Sequence, residues 1–336
     1  MRDKYKIILI TSIVLLVILS IISIVVGNYE GINLSRLIEV IFNKEQKLTQ
    51  IEKTIILNIR LPRTIVSILS GASLALAGAL FQETFNNGLG SSDTLGVSSG
   101  ASVGAAVGIL LGFGSVFTQI SALIFGLVSI VLTFVLSVLF KKNGKTSLIL
   151  SGILVSGLFS SILSLLKYVA DPNEDLPTII YWLMGSVDNS NYDQILIGAI
   201  PMIVCIIIGL ILSWRTGSLS LTDLEAKSRG FNIKALRTIC IILATLLTSC
   251  SISMCGNICW IGLSVPHLSR LVCGTDNKQN FSISLILGGC FLILVDIINR
   301  LISTAEMPVS IFTGILGVFI FVFTKIVRRT KNEFAG

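Results

Sequence analysis

The chain has 336 residues, of which 53% are hydrophobic and 13% are charged, and its mean hydropathy is +0.91. Soluble globular domains carry about 25% charged residues, because a surface that faces water needs them. The composition therefore excludes a soluble globular protein. A formal net charge of +7 could by itself suggest a nucleic-acid partner, but the positions of the basic residues argue against one.

Eight stretches of the sequence contain no Asp, Glu, Lys or Arg. They are residues 7–29, 64–82, 94–140, 146–166, 194–214, 238–269, 279–295 and 307–324. Hydrocarbon offers the backbone no hydrogen-bond partner, so such stretches must form helices or closed barrels. They are continuously apolar rather than alternating, which favours helices.

Two of these stretches are too long for one membrane span, which takes about 20 residues. Residues 94–140 divide at Gly112–Ser115, and residues 238–269 divide near Gly256. The sequence thus predicts an all-α integral membrane protein with ten transmembrane helices, of which the third and eighth are short. The predicted helices cover approximately 6–27, 62–82, 95–111, 116–140, 147–168, 192–214, 236–255, 258–273, 280–302 and 308–327.

An even number of spans places both termini on the same side of the membrane. With the termini inside, 17 of the 25 Lys and Arg residues lie inside, as the positive-inside rule requires. This asymmetry accounts for the basic net charge without nucleic acid. We therefore expect a multi-pass protein of the cell membrane with cytoplasmic termini. Residues 7–26 are interpreted as a retained span, because they are too long for the apolar region of a cleaved signal peptide.

The third predicted helix carries glycines at intervals of four residues, at Gly96, Gly100, Gly104, Gly108 and Gly112. This spacing leaves one helix face as bare backbone, so that another helix can approach closely. Two interpretations stay open: the face is a packing surface, or it moves or lines a path.

A weak internal repeat relates the two halves of the chain. Arg63-Thr64-Ile65 opens the second predicted helix and Arg237-Thr238-Ile239 opens the seventh. Leu95-Gly96-Val97-Ser98 and Ile261-Gly262-Leu263-Ser264 open the helices that follow. Helices two and seven are five spans apart and must run in opposite directions. Inverted repeats of this kind are typical of transporters.

The sequence offers little chemistry for catalysis or metal binding. Its one histidine, His267, cannot form a His-based cluster, no CxxC pair occurs, and there is no GxxxxGK[ST] phosphate loop. We expect no enzyme activity and no cofactor or metal bound by this chain.

Asp296 and Arg300 can pair at i and i+4 on one helix. Ion-coupled carriers usually need carboxylates near the midplane, so the driving force is expected to come from a partner.

The longest inside loop, 215–235, reads as a short helix, a break at Gly230 and a second helix start. One interpretation is a solvated cytoplasmic hairpin. The other is a coupling element that fits into a cytoplasmic motor.

Ordered sequence blocks from about residue 55 to the C-terminus resemble the iron-siderophore, haem and cobalamin uptake permeases of ABC transporters. The blocks are Arg60-Leu61-Pro62-Arg63, residues 71–78 followed by Gln82, residues 95–101, Trp182-Leu183-Met184-Gly185-Ser186, residues 262–271 and Glu306-Met307-Pro308-Val309. The resemblance implies a ten-helix, inverted-repeat type II importer permease, with one transmembrane domain over 1–336. Its implied partners are a second permease subunit, two cytoplasmic ATPases, an extracytoplasmic binding protein and membrane lipid. The implied substrate is a metal chelate, first of all a ferric siderophore, with haem and cobalamin as further members.

The resemblance also assigns residues to three tasks. Arg60, Arg63 and Arg300 correspond to arginines that dock the binding protein, with anchoring to lipid headgroups as the alternative. Within 219–232, the expected contacts to the ATPase are Asp223, Glu225, Ala226, Lys227, Ser228, Arg229, Gly230 and Phe231. The residues of the inner gate are Asn87, Leu89, Thr146 and Ser147.

The sequence leaves two other classes of function open. A secondary carrier would take up its substrate on an ion gradient without an ATPase. A membrane enzyme or a purely structural subunit would give no flux, and the lack of clustered polar residues argues against an enzyme.

Overall fold

The computed structural model describes residues 2–27, 49–140, 145–188, 191–220, 232–274, 276–302 and 307–333. This part of the chain is built from helices and contains no strand. We number the helices in chain order: α1 (Arg2–Val25), α2 (Gln50–Phe85), α3 (Val97–Leu110), α4 (Ser115–Leu139), α5 (Lys145–Val169), α6 (Asp175–Met184), α7 (Tyr192–Thr216), α8 (Ile233–Cys255), α9 (Ile261–Cys273), α10 (Asn277–Ile302) and α11 (Val309–Glu333).

Each of the ten predicted helices has a counterpart among α1–α5 and α7–α11. Eight of the described helices are long and apolar enough to cross a membrane. The other two, α3 and α9, have 14 and 13 residues. At about 1.5 Å per residue they are much shorter than the roughly 30 Å hydrocarbon core. The prediction of ten full spans is therefore not confirmed. The charge-free stretches did not predict α6, which lies between α5 and α7.

A π-helical turn over Ile55–Arg60 interrupts α2 just before Pro62. Proline lacks an N–H and would crowd the preceding turn of a regular α-helix. In a π-helix the carbonyl of residue i accepts a hydrogen bond from the N–H of residue i+5. The carbonyl of Leu57 would therefore need a donor at position 62, where proline has no N–H. The hydroxyl of Tyr192 donates to this carbonyl at 2.5 Å. The turn thus lets the helix continue through the proline without leaving the carbonyl unpaired.

The second half of α2 is the centre of the bundle and is buried along most of Leu61–Phe85. Glycines bring its neighbours into backbone contact: Gly71 faces Gly288 of α10, and Gly78 faces Gly262 of α9. A Cβ at Gly71 or Gly78 would overlap a backbone carbonyl of the facing helix. Close approach at small residues is how helices associate in membranes, where the surrounding lipid removes the hydrophobic driving force.

Helices α2 and α8 run antiparallel, and this confirms the predicted direction. Ser70 Oγ lies 3.1 Å from Cys255 Sγ near one end of the pair. Thr84 lies beside Cys240 near the other end. Sequence positions thus rise along α2 as they fall along α8.

A break and a short helix follow each of these two long helices. Gly96, at φ 76°, caps the start of α3, and Trp260, at φ 71°, caps the start of α9. Glycine adopts a positive φ readily, whereas tryptophan does so only where its surroundings enforce it. The same construction therefore occurs twice, in opposite directions, as an inverted repeat requires.

Candidate functional site

The two ends of the bundle carry different polar groups. We call the end that contains Arg60, Arg63 and Arg300 the arginine end. The opposite end, which we call the coupling end, contains the C-terminus of α2, the start of α10 and the point at which α7 leads into 221–231.

Arg63 lies at the centre of a buried ionic cluster at the arginine end. Its Nε donates to Asp296 Oδ1 at 2.8 Å, and a terminal nitrogen lies 2.7 Å from the same oxygen and 2.5 Å from Asp188 Oδ1. Arg300 pairs with the other oxygen of Asp296 at 2.8 Å, which confirms the predicted pair. Both carboxylates are fully buried. Charges at such depth are stable only when they are paired and hydrogen-bonded.

Arg60 and Arg300 also cap the C-terminus of α1. Arg60 Nη1 donates to two carbonyls at 2.9 and 2.7 Å, and Arg300 Nη1 donates to two others at 2.8 and 2.9 Å. The four carbonyls belong to residues 23–26, at the end of a helix where no intrahelical donor is left. The two side chains therefore join α1 to α2 and α10.

All three predicted docking arginines are thus engaged within the chain. Arg60 and Arg63 are only 4% and 5% exposed. The resemblance assigned them to docking of the binding protein, whereas the structure gives each a partner within the chain. Their docking role stays a prediction. The residue that sequence reasoning missed is Asp188, since nothing near it in the sequence distinguishes it from the other acids of its loop.

At the coupling end, the predicted gate residues Asn87 and Leu89 lie exposed in the loop that follows α2. We call residues 86–90 the gate loop. Asn87 Oδ1 accepts a hydrogen bond from the Leu89 N–H at 3.0 Å. His267 Nε2 lies 2.8 Å from the Gly88 carbonyl oxygen, and a Cβ at Gly88 would come within 2.9 Å of the imidazole. The histidine holds the loop at its tip.

The second predicted gate segment lies at the start of α5. Ser147 is buried and donates to the Ser137 carbonyl at 3.0 Å, while Thr146 is exposed. Among the described residues, no hydrogen bond joins either one to the gate loop. Hydrogen bonding within the described residues therefore does not link the two predicted gate segments.

The predicted ATPase contacts lie outside the described residues. They are Asp223, Glu225, Ala226, Lys227, Ser228, Arg229, Gly230 and Phe231. The flanks of this segment are anchored: Leu219 is 1% exposed and Ile233 is 4% exposed, and both belong to the main apolar core.

A polar network beside these flanks connects four helices. Asn277 Nδ2 donates to Glu83 Oε2 and to Thr216 Oγ1, each at 3.2 Å. Arg270 lies 3.5 Å from Glu83 Oε1. A cavity of about 340 Å³ borders the network. Glu83 stands just before the gate loop and Thr216 ends α7, so the network links the gate loop to the start of 221–231.

Three glycines of the predicted stripe face α4. A Cβ at Gly100 would lie 2.6 Å from the Phe125 carbonyl oxygen, and one at Gly104 or Gly108 would overlap the turn at 118–122. Gly96 faces α5 instead. A Cβ at Gly112, which lies beyond the end of α3, would meet no atom within 4 Å. Four of the five glycines of the stripe therefore pack against neighbouring helices.

One long helix exposes polar groups where lipid would be expected. Ser156, Ser160 and Ser164 follow one another on α5 at intervals of four, and Lys167 continues the same face. Ser160 and Ser164 are exposed, and a Cβ at the intervening Gly157 would meet no atom within 4 Å. Ser156 Oγ donates to the Asp93 carbonyl at 3.2 Å, and Ser164 Oγ donates to the Ser160 carbonyl at 3.0 Å. The charged group of this face, Lys167, is unfavourable against hydrocarbon. We call this face the polar strip; the same helix also exposes leucines.

Comparison with known proteins identifies the family. The model of the FecCD transport family matches residues 15–327. This chain belongs to that family. A molybdate import system permease of Haemophilus influenzae is 36% identical over 98% of this chain and 99% of its own length. An iron chelatin transport system permease of Helicobacter pylori is 34% identical over 94% and 96%. A vitamin B12 import system permease of Vibrio parahaemolyticus is 30% identical over 92% and 91%.

A solved structure agrees with this assignment. An inward-facing transporter described as of the metal-chelate ABC type superposes with a TM-score of 0.87 at 36% identity, over 96% of this chain and 99% of the other. The FecCD chain is therefore a multi-pass membrane permease of an ABC transporter. Such permeases leave ATP hydrolysis to a separate ATPase subunit, so the permease itself is not an enzyme.

Proposed function

We propose that this FecCD permease forms half of the membrane pore of an importer that moves a metal chelate into the cell. A second permease copy or homologue completes the pore, two cytoplasmic ATPases drive it, and an extracytoplasmic binding protein delivers the cargo. The superposition on a transporter described as of the metal-chelate ABC type carries the proposal. In this arrangement the polar strip of α5 would face its counterpart across a two-fold axis and line the path.

We further propose that α3 and α9 are the two short members of a ten-helix membrane bundle with both termini in the cytoplasm. Their closely packed glycines and their position after the two breaks support burial within the bundle. In this orientation the arginine end faces outwards and the coupling end faces the ATPases.

We propose a ferric siderophore as the cargo. The names of the relatives cover molybdate, iron chelatin and vitamin B12, so the test must include each class. The transporter, assembled with its ATPase and binding protein in proteoliposomes, would be offered a ferric hydroxamate siderophore, haem, cobalamin and molybdate in parallel. ATP-driven uptake of the siderophore above the other three supports the assignment. Preferred uptake of any other probe would contradict this assignment and identify that probe's class as the cargo.

Arg60, Arg63 and Arg300 are proposed to support binding-protein docking by fixing the outer ends of α1, α2 and α10. Residues 219–232 are proposed as the ATPase contact, and Asn87, Leu89, Thr146 and Ser147 as the inner gate closed against the second subunit.

For docking, we expect the Arg60→Glu, Arg63→Glu double variant to lose at least about tenfold in affinity for the binding protein. The charge reversal both breaks the ionic cluster and repels carboxylates of the binding protein. The exposed Lys53→Glu is the control, and normal transport by the double variant would contradict the role.

A further inference from the structure

Residues 181–188, which follow one another from the last turn of α6 onwards, carry a carboxylate to the buried Arg63. We call them the outer segment. Asp188 is fully buried, and its Oδ1 lies 2.5 Å from a terminal nitrogen of Arg63. Ser186 Oγ and the Tyr181 hydroxyl both donate to Asp188 Oδ2, the latter at 3.3 Å. With Asp188 in this place, the Arg63 side chain is only 7% exposed. A carboxylate from outside the chain therefore needs a rearrangement before it can reach Arg63.

The two carboxylates that contact Arg63 are held to different degrees. Asp296 accepts from Arg63 and pairs with Arg300 as well, and it belongs to α10, which packs closely against α2. Asp188 pairs with Arg63, and the two side chains that donate to it belong to its own outer segment. Asp188 can thus leave Arg63 without separating two long helices. The rearrangement that frees Arg63 is therefore a movement of the outer segment.

The charges of the cluster favour exchange over simple loss of Asp188. Arg60, Arg63 and Arg300 meet two carboxylates here, so the described residues already leave one positive charge in excess. Loss of Asp188 alone would leave a second one uncompensated, which is unfavourable at such depth. A carboxylate that takes the place of Asp188 keeps the charge of the cluster constant.

The outer segment is also bonded to two helices beyond the arginines. The Ser186 N–H donates to the Cys255 carbonyl at the end of α8 at 2.7 Å, and the Val309 N–H at the start of α11 donates to the Gly185 carbonyl at 2.9 Å. Release of Asp188 would therefore loosen the contacts of this segment with α8 and α11. These two N–H groups report whether the segment is closed.

We propose that the Arg63–Asp188 ion pair is an autoinhibitory contact, in which Asp188 holds the outer segment closed over Arg63 until a carboxylate of the docking protein replaces it. The inference rests on the proposed docking role of Arg63. The apparent affinity of a partner falls with the fraction of molecules that are in the binding-competent form. A weaker Asp188 contact raises this fraction and so strengthens docking.

The first test measures binding of the binding protein to the detergent-solubilised complex of permease and ATPase. Asp188→Asn keeps the shape of the side chain and removes the charge that attracts Arg63. We expect at least about fivefold tighter docking, at the lower end of usual coupling between sites. Glu174→Gln, at the exposed N-cap of α6, removes the same charge and should leave the affinity unchanged.

The second test measures amide hydrogen exchange in the full-length permease without the binding protein. Asp188→Asn should speed exchange at the Ser186 and Val309 N–H groups, because local opening controls their exchange. Ser186→Ala leaves the ion pair in place and removes one hydrogen bond to Asp188. It should change docking and exchange in the same direction by less, and it serves as the milder variant if Asp188→Asn unfolds.

Weaker docking by these variants would make Asp188 a support for Arg63 and overturn the proposal. Docking or exchange equal to that of Glu174→Gln would overturn it as well. The proposed function fails on a different measurement, namely the absence of ATP-driven uptake by the assembled transporter. Tighter docking by Asp188→Asn without such uptake would retain the autoinhibitory contact and reject the importer.

Discussion

Asp296 is the carboxylate that Arg63 and Arg300 share, and it is fully buried. Asp296→Asn would leave two guanidinium groups without their common counter-charge. Breaking one partner of a buried ionic cluster costs about 3–5 kcal/mol, so we expect a clear loss of thermal stability in the purified permease. Thermal unfolding in detergent measures this effect, with Asp193→Asn as the exposed control. Equal unfolding temperatures for the two variants would show that the cluster contributes little.

The glycines of α3 act at the scale of helix pairs. Gly104→Ala would place a methyl group against the backbone of α4, whereas Gly157→Ala on α5 would meet no atom within 4 Å. Overpacking of this kind costs about 1–3 kcal/mol. We expect Gly104→Ala to lower the unfolding temperature and Gly157→Ala to leave it unchanged or raise it slightly, because alanine favours helix. Equal unfolding temperatures for the two variants would mean that α3 and α4 can move apart to accept the methyl group without loss of stability.

The polar network at the coupling end lies between the gate loop and the end of α7, which leads to the proposed ATPase contact. We propose that these two elements move together during import. Glu83→Gln removes the charge that Arg270 faces and is expected to weaken this link. Coupling networks contribute about 0.5–2 kcal/mol, so uptake per ATP hydrolysed should fall about threefold or more while ATPase activity persists. Asp276→Asn, which lines the same cavity but bonds to the start of its own helix, is the control. A proportional fall of uptake and ATPase activity would indicate a structural role only.

The long helices could be predicted from the sequence, because the absence of charged residues is a local property of each stretch. The antiparallel α2–α8 pair followed from the span count and the repeat. What escaped prediction depends on contacts between distant positions. Arg63 pairs with Asp188, and Arg60 caps α1, but the residues around each arginine in the sequence do not indicate these contacts. From the sequence, a buried arginine therefore could not be distinguished from an exposed one. The π-helical turn before Pro62 was missed for the same reason, since it relies on Tyr192 of another helix.

At the scale of the whole molecule, most of the outer surface is apolar, and the exceptions are informative. Helices α1, α4, α7 and α11 expose Ile, Leu, Val and Phe side chains to their surroundings, as a lipid-facing surface should. The polar strip of α5 adds serines and Lys167 to this surface, beside exposed leucines of the same helix. We propose that the path lies between two permease subunits, with the polar strip of each subunit on it.

We expect ATP hydrolysis on a partner subunit to move cargo through this permease. The most direct test is uptake into proteoliposomes that contain the permease, its ATPase and its binding protein, with ATP but without an ion gradient. We predict uptake that stops when ATP or the ATPase is left out. Uptake by the permease alone on a proton or sodium gradient would contradict ATP-driven import and favour a secondary carrier.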